Sequence, residues 1–265
     1  ITIQRAGSVQ EWHCASGARY KIASSRGEFI TYRADFPPGG EHLYIISTIE
    51  ENAELPDKPV YEDIETLPIT GPFAYQLDEP NVLVLDSATY RIEGGEWQDE
   101  QEILKIDRQV REHLGLEYRA GNMVQPWFAE KMGMAQEGRR GQVELRFAFH
   151  VDTLPHTPMQ LVLECPEDFL VSLNDKLIDT STQHGWWVDI SLKCIAIAPE
   201  LLVAGKNTLT LTTDFHQGID LEACYLLGNF GVRLAGTQKY LTALPEQLAP
   251  GDVTQQGFPF YSGKI

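Results

Sequence analysis

Residues 182–187 read Thr-Gln-His-Gly-Trp-Trp and bring hydroxyl, amide, imidazole and indole groups together within six positions. Sugars stack their C–H faces on tryptophan and exchange hydrogen bonds with amide, imidazole and carboxylate groups. These residue types therefore predict carbohydrate binding, and one further tryptophan, in an irregular stretch, is a second candidate. The candidate residues are Trp127, Gln183, His184, Trp186 and Trp187. The alternative is that the aromatic side chains pack beneath loops or at a domain interface.

Alternation along a strand limits how many of these side chains can meet one ligand. Successive residues of a strand point to opposite faces of the sheet, so we expect the side chains of Trp186 and Trp187 on opposite faces. We expect one ring in the core and the other exposed or covered by a neighbouring domain. Val188 and Ile190 alternate as well, so the pattern leaves open which ring is buried.

Hydrolysis of a glycosidic bond needs two carboxyl groups across the scissile bond, one of them with a raised pKa. The chain has 38 acidic residues, but none stands in a pattern that marks it for this work. Asp86 and Asp189 lie at strand ends, and we expect them at the surface or bonded to turns. The sequence also lacks the patterns of a nucleophile elbow, a phosphate loop and a dinucleotide site. We therefore predict no catalytic residue in this chain.

Histidines and cysteines give no metal motif. The histidines that could meet in space are His150, His156, His184 and His216. None of them has the spacing of a zinc site, so no metal is assigned to them. The four cysteines lack CxxC spacing and are predicted to be buried free thiols, which favours a cytoplasmic over a secreted protein. Bridges between Cys194 and either Cys165 or Cys224 stay open as alternatives.

Chain length limits the number of domains, and charge limits the classes of partner. With 265 residues, the chain can form one large domain or two smaller ones with cores of their own. The formal net charge of −17 argues against nucleic acid and anionic membranes, which bind Lys/Arg-rich faces. No apolar run approaches the ~20 residues of a membrane span. An acidic surface suits a neutral ligand, and most sugars are neutral.

Short strands between turn signals predict a small antiparallel β-domain over residues 1–50. The predicted strands are Ile1–Arg5, Ala18–Ala23, Phe29–Asp35 and His42–Ile49. Residues 51–63 are acidic and punctuated by proline, which predicts a linker.

One amphipathic helix is predicted over residues 99–114, where apolar residues recur at three-to-four-residue spacing. The residues of this stripe are Ile103, Ile106, Val110 and Leu114. Asp99 is the predicted N-cap, with Glu102 three residues further on, and Gly115 closes the helix.

From Gly141 onward, turn signals recur about every ten residues, which is typical of an antiparallel sandwich. The predicted strands are Val143–Val151, Met159–Cys165, Phe169–Leu173, Trp186–Ile190, Asn207–Thr213 and Cys224–Leu234. Asn174-Asp175 is predicted to be a turn whose asparagine accepts a positive φ. Gly205 and Asn207 are assigned to the turn before the last strand pair.

The order of elements between Leu170 and Leu211 resembles the galactose-binding-like jelly roll of large bacterial glycoside hydrolases, family 2-like or rhamnosidase-like. The features that carry it are the Asn174-Asp175 turn, the tryptophan-led strand and the Gly205-x-Asn207 turn. The resemblance implies a mainly all-β fold, an antiparallel β-sandwich or jelly roll with one accessory helix. It also implies a catalytic domain of the same polypeptide as partner. Such folds often hold a structural calcium ion, and no other cofactor is expected.

The predicted domains are a small antiparallel β-domain (1–50), a linker (51–63), a jelly-roll sandwich (64–235) and a tail leading to a further module (236–265). We expect an accessory, non-catalytic segment that supports the catalytic domain and contacts carbohydrate. The resemblance implies that the catalytic acids lie upstream of Ile1. The alternatives are an independent carbohydrate-binding module and a self-contained glycosidase.

Overall fold

The computed structural model describes residues 1–25, 27–36, 40–48, 54–59, 67–118, 132 and 140–265. The chain forms two compact units, Ile1–Pro68 and Ile69–Ile265. Both are built mainly from antiparallel strands, which confirms the predicted all-β class. Within the described ranges, no helix combines the length and apolarity needed to cross a membrane.

The described part of the first unit contains two three-stranded sheets, ordered β1-β5-β4 and β3-β2-β6. Its strands are β1 (Thr2–Ile3), β2 (Ser8–Trp12), β3 (Arg19–Ile22), β4 (Ser24–Ser25), β5 (Ile30–Tyr32) and β6 (Leu43–Ser47). Four of them lie within the predicted strands. The core is small and centres on Val9, Ile30 and Tyr32.

Strand β2 is the centre of its sheet, although its polar sequence gave no strand signal. It buries Ser8, Gln10 and Glu11 as well as Val9. Buried polar groups need partners. Glu11 accepts hydrogen bonds from Lys58 Nζ at 2.6 and 2.8 Å, and its Oε1 lies 2.9 Å from His42 Nδ1. These contacts explain why a polar strand can be buried here.

The ionised form of Glu11 stabilises the first unit. Burial by itself would raise the pKa of Glu11, but hydrogen bonds and charges from Lys58 and His42 outweigh it and lower the pKa. A carboxyl group with a depressed pKa stabilises the fold above its unfolded-state pKa of about 4.3, and this contribution is lost as the pH falls through the folded-state value.

Glu11→Gln should therefore destabilise the chain at pH 6, and the difference from wild type should shrink as the pH falls from 5 to about 3. Urea unfolding across this pH range measures the effect. Glu28→Gln, at an exposed position of the same unit, is the control and should change little. A Glu11→Gln deficit of equal size at both ends of the range would contradict the stabilising ion pair.

The second unit is a sandwich of an eight-stranded and a five-stranded sheet. The eight-stranded sheet contains β8 (Ser87–Ile92), β9 (Gln98–Glu102), β10 (Gly141–Val151), β12 (Leu170–Leu173), β13 (Lys176–Ile178), β16 (Gly205–Phe215), β18 (Gly231–Ala235) and β19 (Gln238–Thr242). The five-stranded sheet contains β7 (Asn81–Leu85), β11 (Met159–Glu164), β14 (Gln183–Trp187), β15 (Asp189–Ile197) and β17 (Cys224–Gly228). Short 3-10 helices lie at Pro166–Asp168, Pro199–Leu201 and Val253–Gln256.

The pair β10 and β16 forms the centre of the eight-stranded sheet. They run antiparallel over eleven residues, from Gly141 opposite Phe215 to Val151 opposite Gly205. Their inward side chains alternate with polar outward ones and meet the apolar face of the five-stranded sheet in one core. The five-stranded sheet is ordered β14-β15-β11-β17-β7, so β14 and β7 are its edges.

The single described α-helix, α1 (Ile103–Leu114), covers this core with the predicted stripe. Its start differs from the prediction. Glu102, not Asp99, is the N-cap, and its carboxylate accepts hydrogen bonds from the backbone N–H of Leu104 and Lys105. Asp99 lies in β9, because this segment pairs with β8 before the helix begins. Gly115 ends the helix in the left-handed conformation, with φ 66°, as predicted.

The turns between these strands form where the sequence analysis predicts them. Asn174 and Asp175 both have positive φ, at 52° and 63°, in the turn between β12 and β13. Asn207 accepts a hydrogen bond from Asn174 Nδ2 and donates to the carbonyl groups of Val203 and Gly205. These residues are therefore structural. Residues 236–265, which the sequence analysis assigned to a tail, contribute β19 to the eight-stranded sheet, and their Leu241 is fully buried.

A buried arginine joins α1 to the segment that leads from one sheet to the other. Arg111 is fully buried, and its Nε donates to Asp107 at 2.7 Å while its Nη2 donates to Asp220 at 2.9 Å and to the Ile219 carbonyl at 2.6 Å. Asp107 in turn accepts the backbone N–H of Leu221. Residues 216–223 connect β16 of one sheet with β17 of the other, so this network fixes the crossover.

Arg111→Ala should lower the free energy of unfolding by about 3–5 kcal/mol, because Asp107 would stay buried without its cation. Urea unfolding followed by circular dichroism measures the loss. The matched control is Arg108→Ala, at an exposed position of the same helix, where the cation lies 5.0 Å from the Tyr118 ring. The control should cost less than about 1 kcal/mol. Equal losses for the two variants would refute a special role for Arg111.

Candidate functional site

The predicted carbohydrate-binding residues in the described part of the chain lie on one strand, β14, at an edge of the five-stranded sheet. Gln183 and His184 are exposed. Trp186 is 58% exposed, whereas Trp187 is half-buried. Trp127 lies outside the described residues. The four described candidates therefore lie on one strand, and three of them are exposed while Trp187 is half-buried.

Trp187 is held by packing on the outer face of the five-stranded sheet. Its ring centroid lies 5.2 Å from that of Tyr225, and it joins an outer cluster that includes Val162 and Cys194. This outer cluster is separate from the main core, so neither tryptophan enters the core that the sequence analysis expected for one of them. Trp187 Nε1 is buried without a partner among the described residues. Trp186 is the ring that a ligand can reach.

The hairpin that carries Trp186 reverses direction at Val188. This residue has φ 61°, which β-branched side chains rarely adopt. The expectation of one continuous strand over Trp186–Ile190 is therefore wrong, since β14 ends at Trp187 and β15 begins at Asp189. Asp189 is exposed, as predicted for a surface residue, and accepts hydrogen bonds from Ser191 N and Oγ, both at 2.8 Å.

A cavity of about 500 Å³ lies at the end of the sandwich where β10 and β12 begin and β16 ends. Three carboxylates, an amide and two hydroxyl groups line it beside two apolar side chains. The lining residues are Gln142, Glu167, Asp168, Phe169, Leu170, Thr212, Thr213 and Asp214. Gln183 Nε2 lies 3.5 Å from Glu167 Oε2, so strand β14 reaches the wall of this cavity.

Thr213 borders this cavity, but its side chain points inward, away from the outward Thr212 and Asp214. The residue is 4% exposed, and its Oγ1 is buried without a partner among the described residues. An unpaired buried hydroxyl group is costly, because it has lost its bonds to water. On this strand the outward side chains of Thr212 and Asp214 are the ones that line the cavity.

A larger cavity, of about 910 Å³, lies at the opposite end of the sandwich, between residues 75–81 and 244–246. Its carboxylate Asp78 is already bonded to the Tyr261 hydroxyl at 2.9 Å and to the Lys264 N–H at 2.7 Å. These bonds lower the pKa of Asp78 and fix the C-terminal segment. This cavity therefore has a structural explanation that the smaller one lacks.

The charge around the smaller cavity is negative. Much of the residue Cys165 is exposed, yet desolvation and then the carboxylates of Glu167 and Asp168 raise the pKa of its thiol to about 11. Burial, followed by the charge of Arg140, lowers the pKa of His216 at the same end. A neutral ligand that donates hydrogen bonds fits such a field better than an anion.

The structure also tests the prediction of buried free thiols. All four cysteines are free. Cys194 and Cys224 are buried as predicted, whereas Cys14 and Cys165 are exposed. Among the described residues, no group of three or more histidine, cysteine or acidic side chains could hold a metal ion. Structural calcium stays an untested expectation.

Sequence reasoning missed the cavity residues because their signal is weak. Glu167 and Asp168 lie in the short 3-10 helix after β11, and Thr213 and Asp214 lie at the end of β16. They are distant in sequence and occupy ordinary strand and turn positions. Among them, Thr213 alone carries a signal. It is a polar residue at an inward position of β16, where the alternation predicts an apolar one.

Thr213→Val should raise the free energy of unfolding by about 1 kcal/mol, because it removes an unpaired buried hydroxyl while keeping the shape of the side chain. Thermal and urea unfolding measure the gain. Thr210→Val, an outward position of the same strand, is the control and should change stability by less than about 0.5 kcal/mol. A loss of stability in Thr213→Val would show that the hydroxyl group is already bonded in the free protein.

No protein-family model matches the chain, and no curated protein matches it. Among solved structures, the chain is similar to a rhamnosidase from Novosphingobium sp. PP1Y, with a TM-score of 0.25 and 15% sequence identity. The similarity covers 82% of this chain and 17% of that chain. The chain spans less than a fifth of the length of that protein, and at this TM-score the likeness says nothing about function.

Proposed function

We propose that the chain is a non-catalytic β-sandwich segment of a multidomain glycoside hydrolase, with a galactose-binding-like sandwich that contacts a neutral sugar. The observation that carries the sugar contact is the exposed Trp186 ring on β14, beside a cavity lined by hydroxyl, amide and carboxylate groups. The resemblance in the order of elements from Leu170 to Leu211 supports the link to glycoside hydrolases. The accessory role follows from that resemblance and is a proposal.

The chemistry of the cavity suits a sugar. Carboxylates such as Glu167 and Asp214 accept hydrogen bonds from ligand hydroxyl groups, whereas the Gln142 amide both donates and accepts. Leu170, which is 60% exposed, supplies an apolar surface for sugar C–H groups. The volume of about 500 Å³ lies within the range of small-molecule sites.

Trp186 extends this site along the hairpin. It stands three residues beyond Gln183, which contacts Glu167 in the cavity wall. Its exposed ring offers a stacking surface, and such aromatic contacts contribute about 0.5–1.5 kcal/mol beyond the area they bury. We assign Trp186 and Gln183 to ligand contact, and Trp187 to the support of the strand.

Trp186→Ala should weaken binding of neutral oligosaccharides about tenfold, because a stacking surface is lost. Isothermal titration of the whole chain against a panel of neutral glycans measures this. Stability should change by less than about 1 kcal/mol, since the ring is exposed. The control is Trp12→Ala, which removes a partly exposed strand tryptophan from the other unit.

The same titration separates the two non-catalytic roles. A chain that binds a glycan by itself acts as an independent carbohydrate-binding module. A chain that binds none of the panel retains only the supporting role, and the sugar contact is then refuted. Equal affinities of wild type and Trp186→Ala would move the binding site away from β14.

Glycoside hydrolysis is the second candidate, because Glu167, Asp168 and Asp214 line the same cavity. Retaining and inverting glycosidases both need two carboxyl groups facing one bond. The described carboxyl groups with a shifted pKa, such as Asp86 and Asp189, are shifted downward, which does not suit a general acid. Release of aryl alcohol from aryl glycosides by this chain, abolished in Glu167→Gln or Asp214→Asn, would favour the enzyme over the accessory segment.

A further inference from the structure

The outer face of the eight-stranded sheet carries a cluster of two arginines on one tryptophan, far in sequence from β14. Arg146 Cζ lies 3.9 Å from the centroid of the Trp97 ring, and Arg91 Cζ lies 4.8 Å from it. Arg91 and Arg146 stand on the neighbouring strands β8 and β10. The ring thus fixes both guanidinium groups by cation–π contact.

The two arginines differ in their charge balance. Arg91 Nε and Nη2 lie 2.6 and 2.5 Å from Glu144 Oε1, so its charge is compensated. Arg146 is exposed and has no carboxylate partner among the described residues. The charge of Arg146 is therefore not compensated by a neighbouring described carboxylate, although the ring of Trp97 holds it in place. Its hydrogen-bond donors are available to a ligand.

The surroundings of Arg146 are small hydroxyl-bearing side chains. Register places Thr89 on one side of it and Thr210 on the other. Ser172 follows opposite Thr210 on β12. These side chains share the outward face and are half-buried. They leave the guanidinium group accessible and add groups that donate and accept hydrogen bonds.

We propose that this face binds a carboxylated sugar, a uronate unit, whose carboxylate pairs with Arg146. Guanidinium and carboxylate match in a two-bond geometry, which Arg provides and Lys does not. The neighbouring hydroxyl groups of Thr89 and Thr210 suit the ring hydroxyls of the same ligand. One uncompensated guanidinium group matches one carboxylate, so the ligand carries an isolated carboxylate.

Titration of the whole chain with D-glucuronate and D-glucose tests the proposal, since these probes differ at the carboxylate. Glucuronate should bind more tightly than glucose, and 0.5 M NaCl should weaken glucuronate only. Arg146→Gln should bind glucuronate about tenfold more weakly or worse, and Arg146→Lys should fall between it and wild type. Glu144→Gln should bind it about threefold more tightly, because Arg91 loses its compensating charge.

Two control titrations distinguish binding at Arg146 from binding at the β14 site. Trp186→Ala should bind glucuronate as wild type does, and Arg146→Gln should bind neutral glycans as wild type does. Because Arg146 is exposed, its variants should keep the wild-type melting temperature. The proposal is overturned if Arg146→Gln binds glucuronate as well as wild type, or if wild type binds the two probes equally. Tighter binding of a tetraglutamate peptide, lost in Arg146→Gln, would overturn the sugar assignment in favour of an acidic peptide.

Discussion

The buried ion-pair network of Arg111 is the interaction on which the arrangement of the sandwich depends. Arg111 lies on α1, and its partners Asp220 and Ile219 lie in the crossover between β16 and β17. A buried guanidinium group is tolerated only when its donors are satisfied, so helix and crossover must keep one relative position. Thr213 and Asp214 lie just before this crossover. The wall of the candidate cavity is therefore held by the same network.

Elements with strong periodicity and defined turn chemistry could be predicted from the sequence. The stripe from Ile103 to Leu114 is buried as the helical spacing requires, and Gly115 ends the helix. The long strands β10 and β16 alternate so regularly that their faces follow directly. Asn174 takes a positive φ because its amide bonds to the backbone around it. In these places local preference and tertiary packing agree.

Buried polar residues and short strands could not be predicted from the sequence. Strand β2 was missed because Gln10 and Glu11 look exposed, and their burial depends on partners such as Lys58 that lie 47 residues away. The cap at Glu102 was misplaced because β9 pairs with β8 before α1 begins. Trp187 packs in an outer cluster and not in the predicted core, because this cluster has no local signature in the sequence. The candidate cavity combines residues of several elements and was invisible for the same reason.

Charge distribution, rather than net charge, decides which ligand each face can take. The formal charge of −17 favours neutral ligands for the chain as a whole, and the carboxylates near Thr213 impose the same preference on the cavity. On the outer face, Glu144 neutralises Arg91 and leaves Arg146 beside Trp97. Charge at a surface acts over about 8–10 Å in physiological salt, so two such sites can hold opposite preferences on one sandwich. An acidic protein can therefore select an acidic sugar at one place while it excludes anions at another.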